Sequence, residues 1–404
     1  MQRVWSGNDI KANRYSSKGD NCDYSNTNIY RAFRNCGRFI FVVFIIAICV
    51  NFFCIKTYAE ESDPYEELYN ILDVNVLEDV SDKNISEYFD ADLSDSKSIW
   101  NINGYDLLLR LAKNSLLTDG TTLNVLKVVL VFSIVFIITK NTLVESEHLN
   151  FSFDTVSAGI CAVIFLLPVS SLIFDVCSVV KSCCVFMNAF IPIYAALIVA
   201  VGYSATSASY STLMFSVTQI FSLMADSIIV PLSNLTLVAS ISAAFNTVSK
   251  GFYELLRKSI IIILSTSMGI FIAVLNLQTV ISAPSDTIGI KTVKTALGTF
   301  IPIVGTALSD SVSVLLAGAG TLKSTVGVYA VINIIVCVVP VLIKLLMWRL
   351  TVAVSVILLD LSQSETSVNI VKSIGSVITL MISVLLCVSV AYLLSVILTL
   401  SIGG

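Results

Sequence analysis

Nine apolar runs succeed one another along the last two-thirds of the chain: Leu123–Thr139, Val156–Phe174, Val185–Tyr203, Leu213–Val230, Leu232–Phe245, Ile260–Ser282, Val326–Met347, Leu350–Leu361 and Ser376–Leu400. Runs of about 18 or more apolar residues are what a helix needs to cross a hydrocarbon core of about 30 Å. Inside lipid the backbone must satisfy its own hydrogen bonds, so runs of this length specify helices. Composition excludes the soluble alternative: hydrophobic residues make up 56% and charged residues 13%, against about 25% charged in soluble domains. Leu232–Phe245 and Leu350–Leu361 are too short for a straight crossing, and they follow Pro231 and Pro340, as broken or re-entrant helices do. The expected fold is an all-α polytopic transmembrane helical bundle, with about seven or eight spans after an N-terminal signal or anchor.

Charge divides the rest of the chain. Residues 1–38 carry seven Lys/Arg against three Asp/Glu, residues 59–122 carry four against fifteen, and from 123 onward the balance is twelve against ten. The basic leader ends in Arg31, Arg34 and Arg38, and the apolar stretch 39–59 closes on Thr57-Tyr58-Ala59 before Glu60-Glu61. This is the shape of an export signal, either cleaved after Ala59 or kept as an anchor. By the positive-inside rule the leader stays cytoplasmic and residues 60–122 form an acidic extracytoplasmic segment. Tyr65, Leu68, Tyr69, Leu72 and Val76 recur at helical spacing there, which predicts short helices. So small and charged a segment buries little apolar surface by itself, so it either docks on a partner or the membrane body or serves as a solvated spacer. The stretch Asn246–Lys258, with Lys250, Arg257 and Lys258, reads as an interfacial helix between spans. Residues 123–404 make up the multi-span membrane domain. No basic stripe fit for nucleic acid is present in the sequence.

A weak repeat runs through the membrane domain. Phe190-Ile191-Pro192-Ile193 recurs as Phe300-Ile301-Pro302-Ile303, and Pro231 has its counterpart in Pro340 at nearly the same offset. These matches suggest a duplication, with halves at about 185–282 and 296–404 and broken helices at Pro192, Pro231, Pro302 and Pro340.

The residues of known catalytic motifs are missing. The one histidine, His148, lies in the polar stretch Lys140–Asp154, and there is no serine elbow, CxxC, HExxH or phosphate-binding glycine loop. The sequence therefore predicts no enzyme, no catalytic, cofactor-binding or metal-binding residues, and no cofactor. The acidic segment holds none of the ten cysteines, and adjacent Cys183 and Cys184 read as small apolar residues packed between helices.

Charges at membrane depth are costly and mark either a function or a span end. Lys127, Asp226, Asp310, Lys344, Arg349 and Asp360 are of this kind, while Asp175 also falls at the end of an apolar run. Asp310 lies in a stretch, Ile303–Lys323, that is rich in Gly, Ser and Ala. Small residues let helices approach closely, and hydroxyls can line a wet path. Pro302, Gly305, Ser309, Asp310, Ser313 and Lys323 are the candidate conduit-lining or gating positions.

At this stretch the chain resembles a known family. Gly289-Ile-Lys-Thr-Val-Lys294, Gly298-Thr-Phe-Ile-Pro-Ile-Val-Gly305 and Ala307-Leu-Ser-Asp310, continuing through Lys323, Gly327 and Pro340, resemble the C-terminal signature of the stage III sporulation protein AE family. The resemblance implies a non-enzymatic multi-pass subunit of the channel or secretion-like complex that joins mother cell and forespore. Such a subunit would sit in the mother-cell membrane around the forespore, contributing to an export gate or conduit. Its partners would be ring-forming and ATPase-like proteins of the same operon and a forespore membrane protein. Two other readings remain open on the residues alone: an autonomous small-molecule transporter, and a structural anchor that recruits partners through the acidic segment.

Overall fold

A computed structural model describes residues 69–81, 99, 104–118, 120–143, 147–245, 247–300, 305–361 and 364–400. The basic leader, the signal stretch and the start of the acidic segment lie outside the described residues. Every regular element among those described is helical. We number them α1 (Asn75–Val80), α2 (Gly104–Thr118), α3 (Gly120–Leu143), α4 (Glu147–Ala200), α5 (Ser204–Met224), α6 (Val230–Phe245), α7 (Thr247–Phe300), α8 (Gly305–Leu361) and α9 (Glu365–Leu400), with a π-helical turn at Ala225–Ile229 between α5 and α6.

Among the described residues six stretches are long and apolar enough to cross a membrane: Thr122–Thr139, Ser152–Ala200, Ser204–Ala243, Ser249–Asn276, Gly318–Leu361 and Glu365–Ile397. This polytopic all-α bundle has fewer, longer helices than the apolar runs suggest. Val156–Phe174 and Val185–Tyr203, the latter up to Ala200, merge into α4, and Val326–Met347 and Leu350–Leu361 merge into α8. At 1.5 Å per residue α4 and α8 are each about 80 Å long, far more than one crossing requires. Charged residues that end an apolar run do not end a helix, because each peptide group keeps its i−4 partner whatever its side chain.

The prolines act differently from the expected breaks. Pro168 and Pro192 lie inside α4 and Pro340 inside α8, and the helices continue through them. A proline removes one backbone donor and crowds one carbonyl, a local defect that neighbouring helices in a membrane bundle tolerate. Pro231, the second residue of α6, has no N–H for the Ser227 carbonyl one turn back. The chain widens there, and the Val230 N–H reaches Ala225 O, five residues back. Among the described residues the first proposed half is interrupted at 201–203 and at the π turn. The polar stretch around His148 and the basic stretch at Lys250–Lys258 belong to the first turns of α4 and α7, and Lys291 and Lys294 lie on α7.

Burial separates inner from outer helices. In the Gly318–Leu361 and Glu365–Ile397 spans, 67% and 61% of the most apolar window is buried, against 22% in Thr122–Thr139 and 17% in Ser249–Asn276. The last two helices therefore form the centre, with α9 packed on α8, α4, α6 and α7. The third and seventh helices keep large apolar residues such as Val131, Ile138, Ile262 and Ile272 exposed, as lipid-facing helices do. Aromatic rings at every fourth residue of α4 stack through the core. The Phe186–Phe190 and Phe190–Tyr194 centroids are 6.0 and 4.8 Å apart, Tyr194 meets Tyr210 of α5 edge-on, and Phe221 meets Tyr392 of α9 at 5.6 Å.

The acidic segment docks on this body. Of the residues at helical spacing there, Tyr69 is buried and Val76 exposed, while Tyr65 and Leu68 lie outside the described residues; the segment contributes α1 and α2, with Val74, Leu77, Leu107 and Leu111 all buried. Ser81 Oγ donates to Oδ1 of the buried Asn333 at 2.9 Å, and Ser115 Oγ donates to the Pro340 carbonyl at 3.1 Å, so the segment rests on α8 at two points. Among the described residues it is no free spacer.

Candidate functional site

Two ion pairs fasten α4 to its neighbours. Lys344 Nζ, one turn past Pro340 on α8, lies 2.7 Å from Asp175 Oδ2, both side chains about one-third exposed. Lys181 Nζ lies 2.7 Å from Asp226 Oδ1 in the π turn, both about half exposed. Asp175 and Lys181 are six residues apart, about 9 Å along the axis and well around the helix, so they reach different partners. Wherever such charges stand clear of bulk water, neither can be left alone cheaply, and pairing is how a membrane bundle retains them.

The π turn and its proline set the second pair. By changing the phase of the helix just before Pro231, the widened turn fixes the direction in which Asp226 projects. Local sequence thus aims a charge across the bundle. Other polar groups also pair between helices, among them Ser157 Oγ with Ser367 Oγ at 2.8 Å, Ser395 Oγ with Met214 Sδ at 2.8 Å, and Cys184 Sγ with Tyr392 Oη at 3.1 Å. Cys183 and Cys184 are buried and form part of the α4 packing surface.

The residues singled out from sequence scatter over this arrangement. Asp226 and Lys344 enter the ion pairs. Arg349 is half-buried against Gly375 of α9, whereas Lys127 and Asp360 are exposed. Lys323 is 4% exposed. Pro302 lies outside the described residues. Gly305, Ser309, Asp310 and Ser313 belong to the first turns of α8, with their side chains outside the described residues. Pro192 and Pro231 face outward and Pro340 is half-buried under Ser115. Sequence reasoning missed Lys181 and noted Asp175 only at the end of an apolar run. A lysine and an aspartate six residues apart within nearly continuous apolar sequence are the signal that marks α4.

Chemically the arrangement holds charges in opposed pairs between helices that must slide past each other if the bundle opens. Among the described residues no group of three or more His, Cys, Asp or Glu side chains stands close enough to hold a metal ion.

The profile of the family described as "Stage III sporulation protein AE" matches residues 84–403. A protein named "Stage III sporulation protein AE" from Bacillus subtilis (strain 168) is 23% identical over 286 residues, which cover 69% of each chain. No solved structure matches.

Proposed function

Since the chain belongs to the stage III sporulation protein AE family, with its role in sporulation, we propose that it is a non-enzymatic gate or conduit subunit of the complex linking mother cell and forespore. It works from the mother-cell membrane around the forespore. Ring-forming and ATPase-like proteins of the same operon and a forespore membrane protein are its partners, with the energy coming from the ATPase-like subunit.

The observation that supports a gate most directly is the double clasp on α4, Asp175 to Lys344 and Lys181 to Asp226. A purely structural anchor gains little from half-exposed ion pairs, since such pairs contribute only modestly to stability. A gate gains two contacts that release at small cost and close again in one register. The prolines beside them, Pro340 and Pro231, supply the weak points about which helices bend.

Purification of a tagged, functional copy from sporulating cells in mild detergent tests this reading. Recovery of the ring-forming and ATPase-like proteins supports it. Isolation as a stable homo-oligomer without them contradicts it and favours the autonomous transporter.

A further inference from the structure

We infer that Arg349 and Lys372, at a notch made by Gly375 between α8 and α9, bind the phosphate of an anionic phospholipid headgroup.

The notch comes from the absence of a side chain. A Cβ on Gly375 would stand 2.9 Å from Nη1 of Arg349 and 2.7 Å from Cγ1 of Val352, so the guanidinium occupies space that any other residue would fill. Lys372 lies one turn before Gly375 on α9, about 4.5 Å along the axis and about 60° around it, and it is exposed. Asn369, one further turn back, is exposed as well. Lys372 and Asn369 thus lie on α9 within two turns of the glycine against which Arg349 packs.

The charges of Arg349 and Lys372 are unanswered. Lys344 and Lys181 each have a carboxylate at 2.7 Å, whereas among the described residues neither Arg349 nor Lys372 has an acidic partner. A half-buried guanidinium in a membrane bundle calls for a counter-charge. The surroundings identify its source. Among the described side chains of α8 the exposed large apolar residues begin at Leu350, followed by Ile357 and Leu361. Arg349 therefore stands where this helix passes from protein contact to lipid contact, with acyl chains as neighbours. A guanidinium fork matches two phosphate oxygens, a lysine adds a point charge, and basic pockets between membrane helices take anionic headgroups on this principle.

The test uses the full-length protein in nanodiscs of mixed phosphatidylglycerol and phosphatidylcholine, with retained lipids counted by native mass spectrometry after transfer to mild detergent. Phosphatidylglycerol should be retained over phosphatidylcholine, and that preference should fall about fivefold in Lys372→Gln and again in Arg349→Gln. Gly375→Val, which fills the notch, should reduce it with both charges still present. Added inorganic phosphate should leave it unchanged. Equal retention of the two lipids by the wild type overturns the proposal, as does displacement by inorganic phosphate, which marks a site for a free anion. If Arg349→Gln fails to fold, Lys372→Gln alone decides: its residue is exposed, and an unaltered preference in that variant overturns the assignment.

Discussion

Lys344 on α8 and Asp175 on α4, 169 residues apart in the chain, meet at 2.7 Å with about one-third of each side chain exposed. The pair joins one of the innermost helices to the helix that also carries Lys181, so α4 cannot shift against α8 without parting it. Exposure decides how firmly it holds. A fully buried pair would cost about 3–5 kcal/mol to break from one side, an exposed pair under about 1 kcal/mol.

Asp175→Asn and Lys344→Met should each lower stability in detergent by about 1–2 kcal/mol, between those limits. The reversed pair, Asp175→Lys with Lys344→Asp, should recover most of the loss. Unfolding midpoints of the two singles and of the double Asp175→Asn with Lys344→Met give the coupling energy. Additive losses would show that the two charges do not interact.

The Lys181–Asp226 pair is about half exposed on both sides, so solvent and salt screen it strongly. Raising the salt from 0.1 to 1 M shortens the screening length from about 10 to about 3 Å. The stability difference between wild type and Asp226→Asn should therefore shrink on adding salt, and more than the corresponding difference for Asp175→Asn.

Glycines separate close packing from open surface. Gly375→Ala forces its methyl against Arg349 and Val352 and should destabilise by about 1–3 kcal/mol. Gly159→Ala and Gly269→Ala meet nothing within 4 Å on their helices and should be neutral or stabilising by up to about 1 kcal/mol. Thermal shifts of the three variants check the ordering.

Docking of the acidic segment rests on a few buried apolar side chains, Leu77 and Leu111 being 0% exposed. Leu77→Asp or Leu111→Asp should free the segment. Limited proteolysis would then cut within residues 69–118 while the bundle stays intact. Unchanged resistance would contradict docking through these residues.

Helix type and membrane placement were legible because lipid imposes one backbone solution on long apolar runs. Helix ends were not. The polar residues between Phe174 and Val185 look like a boundary, yet Asp175 and Lys181 lie mid-helix because their counter-charges come from α8 and the π turn. Partners 169 and 45 residues away leave no local trace in the sequence. Proline misled for a related reason: the residue alone does not say whether a helix continues through it or widens before it, and α4 continues through the exposed Pro192 while a π turn precedes the equally exposed Pro231. The motif that carries the family resemblance, Gly289–Asp310, lies where side chains are outside the described residues, so the ion pairs rest on signals independent of it.

The most direct test of the α4 clasp as a working part of the sporulation machinery is a count of heat-resistant spores in a host that depends on this chain. Membrane levels of each variant should be measured alongside. Asp175→Lys and Lys344→Asp should each cut spore yield at least about tenfold, because a single reversal sets like charges against each other at the α4–α8 contact. The double reversal should restore it to within a few-fold of wild type. Normal yields from single reversals present at wild-type levels, or a double reversal as defective as either single, would contradict the account.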